Sequence, residues 1–116
     1  MALILHITDA ATWREAQAAG AYSADSLATE GFIHCSTPAQ IVRTANKFYT
    51  GRSNLVLLCI DEHKVTSDIR YEDLNAGDLF PHIYGVLNPD AVVKVIPYAA
   101  GEDGKFARPT GLEDLV

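Results

Sequence analysis

The run from Leu55 to Ile60 is the longest unbroken apolar stretch in the chain, at six residues. Side chains of a β-strand alternate between two faces, so a strand here is apolar on both of them. That pattern is typical of a central strand covered on both sides. A membrane-spanning helix needs about 20 apolar residues, so the run is too short to be one. The sequence therefore predicts a sheet with a hydrophobic core on each face, and no membrane partner.

The length of 116 residues suits one domain, and 48% apolar with 21% charged residues is ordinary globular composition. We expect a single domain over residues 1–116, with its core at about 2–98. Residues 99–116 are expected to form a loop or tail, because 99–111 contain three Gly and one Pro. No basic residue precedes the apolar run Met1–Leu5, so we expect no secretory signal.

The charge balance disfavours nucleic acids as partners. Nine Lys and Arg face 15 Asp and Glu, which gives a net charge of −6, and the basic residues are not clustered in the sequence. Nucleic-acid binders need basic surface to neutralise phosphates. A small basic pocket remains compatible with this composition.

Two cysteines are too few for a disulfide scaffold. Cys35 and Cys59 each lie in an apolar run, where a free thiol behaves as a small hydrophobe. We expect two buried thiols in a reducing cytoplasm. A Cys35–Cys59 disulfide is the alternative.

The periodicity predicts about six short strands and two main helices. The strands are expected at 2–7, 32–36, 54–60, 69–72, 82–87 and 92–98, and the helices at 10–19 and from Thr37-Pro38 to Tyr49. The last two strands are expected to form a hairpin across Asn88–Asp90. Because strands crowd the second half without helices between them, the fold class is α+β with a mixed or antiparallel sheet.

Three predicted strands carry a histidine with a hydroxyl or phenol two residues later: His6 and Thr8, His34 and Ser36, and His82 and Tyr84. Residues two apart in a strand share a face. If these strands are neighbours, their polar side chains line one patch on the sheet. The alternatives are structural histidines, each satisfied inside the fold, and a zinc site assembled from the three histidines.

The chain resembles a small bacterial family of domains of unknown function, DUF952. The resemblance covers about residues 3–98 and is carried by the segments Trp13–Gly20, Tyr22, Ser26-Leu27, Glu30–Ser36 and Phe80–Gly85. That family resembles the ADP-ribosyltransferase fold, in which a mixed, split β-sheet grips NAD between its halves. The resemblance therefore implies an ADP-ribosyltransferase-like architecture.

The RNA 2′-phosphotransferases of that fold place a His-Gly-Thr strand before a His-Leu-Ser strand, to which the motifs at His6 and His34 are similar. The likeness implies that His6, with Thr8, contacts the adenosine ribose. It implies that His34 and Ser36 contact the nicotinamide ribose or the diphosphate.

An aromatic surface for the nicotinamide could come from Tyr22 or Tyr84. This chain lacks the basic residues around the second motif and the strand-borne catalytic Glu of the protein-modifying enzymes. His82 stands in the third motif instead. The candidate catalytic residues are thus His34, His82 and Tyr84.

The expected function is binding of NAD or an ADP-ribose-containing compound, with ADP-ribosyl transfer or NAD hydrolysis as the accompanying reaction. Cleavage of the nicotinamide–ribose bond passes through an oxocarbenium-like state, which a site with ribose-binding donors and an aromatic surface suits. The alternatives are a nucleotide-binding module without turnover, RNA 2′-phosphate transfer and the three-histidine metal site. The sequence leaves the acceptor and the oligomeric state open.

Overall fold

The structure is a computed structural model of the chain and describes residues 2–73 and 77–112. Within them lie three α-helices, six β-strands and two short 3-10 turns. In chain order these are β1 (Leu3–Asp9), α1 (Ala10–Ala19), α2 (Asp25–Glu30), β2 (Ile33–His34), α3 (Ile41–Phe48), β3 (Leu55–Asp61), a 3-10 turn (Glu62–Lys64), β4 (Asp68–Glu72), β5 (Phe80–Tyr84), a second 3-10 turn (Pro89–Ala91) and β6 (Val92–Tyr98). The predicted α+β class is confirmed. None of the helices in these ranges is long and apolar enough to cross a membrane.

The first sheet has the strand order β1-β3-β6, with both pairings antiparallel. Leu57 and Leu58 of β3 are both 0% exposed, although they point to opposite faces. Leu57 belongs to the core cluster that contains Ile41 of α3, and Leu58 to the cluster that contains Trp13 of α1. The prediction of a central strand buried on both faces is therefore confirmed.

The second sheet has the strand order β2-β5-β4, also antiparallel. Ile33 lies opposite Ile83, and His34 lies opposite His82. Both isoleucines are 0% exposed and belong to the Trp13 core cluster. Since side chains alternate along a strand, the two histidines point together to the other face. This is the arrangement predicted for these two strands.

An isolated bridge connects β1 of the first sheet to the segment that follows β2 of the second. Leu5 and Ser36 exchange two backbone hydrogen bonds, of 2.7 and 2.8 Å, in an isolated antiparallel pair. Directly paired residues point their side chains to the same side of a sheet. Ser36 therefore lies on the Leu5 side of β1, and His6, the next residue, points to the opposite side.

Two expectations about the sheets were wrong. The predicted hairpin does not form, because β5 pairs with β2 and β4, and β6 pairs with β3. β3 is apolar on both faces and already pairs with β1 along one edge. β6 pairs with its other edge instead of pairing with β5. The mixed pairing implied by the resemblance is absent as well, since every pairing among the described strands is antiparallel. Alternation defines faces but carries no information about the direction of the neighbouring strand.

The core extends beyond the predicted boundary at residue 98. Phe106 is 3% exposed and Leu112 is 0% exposed, and both belong to the Ile41 core cluster. The Asn46 side chain donates to the Phe106 carbonyl at 3.0 Å and accepts from the Phe106 N–H at 2.8 Å. Residues 99–111 lie outside the helices and strands, yet single side chains of this segment are packed into the domain. Two isolated apolar residues among glycines have no periodicity that would reveal this.

The two cysteines are free and buried, as expected. They belong to different core clusters, so the alternative Cys35–Cys59 disulfide is not formed. Burial raises the pKa of the Cys35 thiol, and it raises that of Cys59 to about 11. Both are therefore thiols rather than thiolates at neutral pH.

Candidate functional site

A cavity of about 550 Å³ opens between α3, β1 and the paired strands β2 and β5. Small-molecule sites commonly have volumes of about 300–1,000 Å³. Its lining combines apolar residues of the core with a smaller set of polar and charged side chains: Leu5, Ile7, His34, Cys35, Ser36, Ile41, Arg43, Thr44, Lys47, Phe48, Tyr49, Arg52, Phe80 and His82. The cavity therefore has the composition of a binding site for a small, partly polar molecule.

Three of the nine basic residues of the chain lie around this cavity: Arg43, Lys47 and Arg52, here called the basic rim. Arg43 and Lys47 are four residues apart on α3 and therefore share a helix face. Arg43 Nη2 lies 2.9 Å from Asp78 Oδ2, and Arg52 Nη2 lies 3.3 Å from Asp9 Oδ1. The fold thus brings three cations to one cavity: Arg43 and Lys47 come from α3, and Arg52 comes from the segment after it. This is the small basic pocket that the composition left open.

Aromatic rings stand beside these cations. Phe48 lines the cavity and is 66% exposed. The Lys47 ammonium lies 5.3 Å from the centre of its ring, and the Arg52 guanidinium lies 5.4 Å from the ring centre of Tyr49. An exposed phenyl ring next to a basic rim can stack on a planar ligand group while the cations bind its phosphates.

His82 is held on two sides. Its Nδ1–H donates to Glu72 Oε1 at 2.8 Å, and Phe32 stacks on its ring at 4.2 Å between centres with 23° between planes. The Tyr84 hydroxyl donates to the same Glu72 oxygen at 2.5 Å. The bonds from Tyr84 and His82 lower the pKa of Glu72, and its carboxylate raises the pKa of Tyr84. Glu72 is therefore ionised and orients two predicted site residues.

His34 lies next to His82, with 5.5 Å between the ring centres. Its Nε2 is 2.9 Å from Glu30 Oε2, and the two side chains are 47% and 49% exposed. Phe32 meets its ring edge-on at 4.9 Å. The structure thus brings together His34, His82 and Tyr84, the three predicted catalytic residues. Their common neighbour is Phe32, which is buried but belongs to neither core cluster.

His6, Thr8 and Tyr22 lie on the other side of β1 from the cavity and are at most 8% exposed. His6 Nδ1–H donates to the His34 carbonyl at 2.6 Å, so Nε2 of the neutral ring accepts from the Tyr22 hydroxyl at 2.7 Å. Burial lowers the pKa of His6 to about 4 and raises that of Tyr22 to about 12.

The polar patch expected to combine the His6 and His34 motifs is therefore not formed. The cause is the bridge between Leu5 and Ser36, which places the Leu5 face of β1 beside the second motif. His6 reaches only the backbone of His34. Ser36 does line the cavity, where its hydroxyl donates to Thr44 Oγ1 at 3.0 Å.

Two groups of residues at this site were not predicted from the sequence. Arg43 and Lys47 could have been found from their spacing on the predicted helix, which places both on one face. Glu72 and Arg52 carry no such signal, because they reach the site only through strand pairing and through the turn after α3.

The three histidines do not converge on a metal site. In residues 2–73 and 77–112, no group of three or more His, Cys, Asp or Glu side chains is arranged to hold a metal ion. His6 is bonded to Tyr22, His34 to Glu30 and His82 to Glu72. The zinc alternative is thus not assembled in the described part of the chain.

Comparison with known proteins identifies a family and close structural neighbours. The model of a family described as protein of unknown function (DUF952) matches residues 7–95. Two crystal structures of protein CC0527 from Caulobacter crescentus, one of them of a double mutant, share 32% identity with this chain. Each has a TM-score of 0.83 and covers 97% of both chains. The solution NMR structure of CC0527 has a TM-score of 0.78 and covers 100% of this chain and 97% of its own. No curated protein matches.

Proposed function

The chain belongs to this family of proteins of unknown function, and we propose that it binds NAD or another ADP-ribose-containing compound in the cavity beside α3. The accompanying reaction is cleavage of the nicotinamide–ribose bond, by hydrolysis or by ADP-ribosyl transfer. The observation that carries the proposal is the basic rim beside an exposed phenyl ring and the His34–His82 pair, all around one cavity.

This combination fits the parts of a dinucleotide. A diphosphate needs cations, and arginine and lysine side chains bind phosphate through charge-assisted hydrogen bonds. Lys47 is exposed and sits between Arg43 and Arg52 along the chain. A base or a nicotinamide ring needs a flat apolar partner, which the exposed Phe48 offers. Ribose hydroxyls need donors and acceptors, and His34 and Ser36 line the same cavity.

The resemblance to the ADP-ribosyltransferase fold adds support of a different kind, because enzymes of that fold grip NAD between the halves of a split sheet. Here two three-stranded sheets are joined at the Leu5–Ser36 bridge, and the cavity lies beside that bridge. The roles implied for His6 and Thr8 change in consequence. We assign His6 to the support of the His34 backbone, and we assign neither His6 nor Thr8 to contact with the adenosine ribose.

A binding module without turnover uses the same cavity and differs only in chemistry. The buried thiols fit a reducing cytoplasm, where NAD is abundant for either role. Following nicotinamide release from NAD separates the two, since a binding module releases none.

The basic rim also favours a second candidate, transfer of a 2′-phosphate from RNA. The cations missing from the sequence around the second motif are supplied in space by α3. With a net charge of −6 the rest of the chain contributes little to RNA affinity. Release of the 2′-phosphate from an RNA oligomer, measured beside NAD cleavage, decides between the two reactions.

Thermal unfolding tests the binding proposal. A ligand selective for the folded state raises the melting temperature by mass action. We expect NAD and ADP-ribose at millimolar concentration to raise the melting temperature of the wild-type protein. Adenosine, which lacks the phosphates, should raise it less. An unchanged melting temperature with both NAD and ADP-ribose would contradict the proposal.

A further inference from the structure

We infer that Glu72 is a positioning residue that holds His82 with its Nε2 as the proton acceptor for a hydroxyl nucleophile in the cavity. This inference rests on the proposed function and adds its mechanism. The relevant groups are the carboxylate of Glu72, the imidazole of His82 and the phenol of Tyr84.

The orientation of the His82 ring is fixed by two contacts. Phe32 stacks nearly parallel to the His82 imidazole, which fixes the plane of the ring. The bond from Nδ1 to Glu72 Oε1 fixes the rotation within that plane. His82 is only 2% exposed, so its surroundings leave it little freedom. The imidazole is therefore preorganised before any ligand arrives.

The contact with Glu72 also determines which nitrogen of the His82 ring carries the proton. An ionised carboxylate only accepts hydrogen bonds, so the bond to Glu72 requires a proton on Nδ1. In the neutral imidazole Nε2 then carries the lone pair. Every fully buried side-chain nitrogen and oxygen of the described residues has a hydrogen-bond partner. Among the described residues, the hydrogen-bond partner of His82 is Glu72, at Nδ1, and His82 lines the cavity. The proposal therefore places Nε2 on the cavity side of the ring.

His34 is held less firmly by its carboxylate partner than His82 is. Its Nε2 is bonded to Glu30, and both side chains are about half exposed, so solvent competes with this pair. Glu72 is held by two donors, and Arg70 covers the Tyr84 ring at 4.4 Å. Of the two histidines, His82 thus has the fixed tautomer that a general base needs. His34 remains a ligand contact.

The proposed hydrolysis of the nicotinamide–ribose bond needs only water besides NAD. A water oxygen forms a bond to C1′ of the nicotinamide ribose, and the bond from C1′ to the nicotinamide nitrogen breaks. The electron pair of that bond stays on nicotinamide, which leaves as a neutral molecule. The water proton passes to His82 Nε2 and then to solvent. NAD⁺ and water give ADP-ribose, nicotinamide and a proton.

The chain offers a matched control for Glu72. Glu62 accepts the Tyr71 hydroxyl at 2.6 Å, as Glu72 accepts that of Tyr84, and Glu62 is not among the described residues that line the cavity. Glu72→Ala removes the acceptor of His82. Glu72→Gln keeps a carbonyl oxygen that can accept both bonds, and Glu62→Ala controls for the loss of a tyrosine–carboxylate pair.

The first readout is the tautomer of His82 in the free protein, measured by long-range ¹H–¹⁵N NMR under conditions where the imidazole is neutral. We expect the proton on Nδ1 in the wild type, in Glu72→Gln and in Glu62→Ala. In Glu72→Ala we expect a mixture or the Nε2–H form. A wild-type proton on Nε2, or an unchanged tautomer in Glu72→Ala, would overturn the positioning role. If Glu72→Ala fails to fold, the wild-type tautomer still tests the role, because a proton on Nε2 would overturn it.

The second readout is nicotinamide release. General-base catalysis contributes typically about 10²–10⁴-fold, so Glu72→Ala should lower kcat by at least about 100-fold while the Kd for ADP-ribose changes less than about threefold. Glu72→Gln should retain more activity than Glu72→Ala, and Glu62→Ala should match the wild type. A wild type that binds NAD but releases no nicotinamide overturns the proton-acceptor role. A wild type that binds neither NAD nor ADP-ribose overturns the proposed function, and the tautomer still decides whether Glu72 positions His82.

Discussion

Two histidines in similar local sequences have opposite environments. His6 and His34 are each followed two residues later by a hydroxyl, yet His6 is buried and His34 is half exposed. The pattern correctly predicted which residues share a face within each strand. It could not predict which faces meet, because that depends on the Leu5–Ser36 register between distant segments. Local alternation therefore identifies candidate residues but does not assemble a site.

Burial of neutral His6 makes stability depend on pH. Its pKa is lowered from 6.5 to about 4 in the fold by burial, so the unfolded chain binds more protons between these values. The contribution is fully present above pH 6.5 and is lost as the pH falls through about 4. One pKa unit corresponds to about 1.36 kcal/mol, so the total is on the order of 3 kcal/mol.

Urea unfolding at several pH values between 7 and 4 measures this dependence. We expect His6→Asn to be less stable at pH 7 and to show a shallower decline with acid than the wild type. His63→Ala removes an exposed histidine and should retain the wild-type slope. Equal slopes in wild type and His6→Asn would show that another group is responsible.

Substitution of His34 should affect ligand affinity rather than stability. Its side chain is 47% exposed, so His34→Ala should change the free energy of unfolding by less than about 1 kcal/mol. If the ring contacts the ligand, affinity for ADP-ribose should fall by about tenfold, which is about 1.4 kcal/mol. Calorimetric titration and urea unfolding of the same variant provide both values. A stability loss without an affinity loss would make His34 structural.

At the scale of elements, α3 supplies two of the three cations beside the cavity, a feature that was not predicted from the sequence. The helix was predicted from its apolar face, and Ile41 and Ala45 are indeed buried in the core. The functional consequence lies on the exposed side, where Arg43 and Lys47 project beside the cavity. The net charge of −6 is a sum over the whole chain and does not show that three cations lie around one cavity. The amphipathic pattern thus predicted the helix, and only the packing of α3 against the first sheet defined the site.

Reversing one charge of the basic rim tests this role of α3. Lys47→Glu places a carboxylate beside the expected diphosphate, and hydrogen bonds to charged groups are worth about 1.5–3 kcal/mol. We expect at least about tenfold weaker binding of ADP-ribose, with a weaker dependence of the affinity on salt. Lys64→Glu makes the same change on the exposed 3-10 turn and should leave the affinity within about twofold. Equal effects of the two variants would indicate a nonspecific charge effect.

At the scale of the whole molecule, the C-terminal segment is part of the fold. Phe106 and Leu112 fill the core cluster between α3 and the first sheet, and Asn46 fixes the Phe106 backbone. Because α3 also forms one wall of the cavity, this segment supports the site from behind. The α+β class and the central strand were predictable from apolar periodicity. The packing of residues 99–112 was not, because it depends on single residues in an irregular segment.

Truncation of Phe106 measures that support. Phe→Ala in a core costs about 3–5 kcal/mol, and Phe106 is 3% exposed. Phe48→Ala is the matched control, because Phe48 is 66% exposed and its loss should cost less than about 1 kcal/mol. Chemical denaturation of both variants provides the comparison. Similar small losses in the two variants would show that residues 99–112 are not needed for the core.

If the cavity beside α3 binds an ADP-ribose-containing compound, the amides around it should respond to that ligand. Backbone NMR of the wild-type protein, titrated with ADP-ribose, tests this binding most directly because each amide reports its own surroundings. We expect saturable shifts concentrated at Ser36, Thr44, Lys47 and Phe48, with smaller ones near His63 on the exposed 3-10 turn. Absence of shifts at millimolar ADP-ribose, or shifts concentrated away from α3, would contradict binding in this cavity.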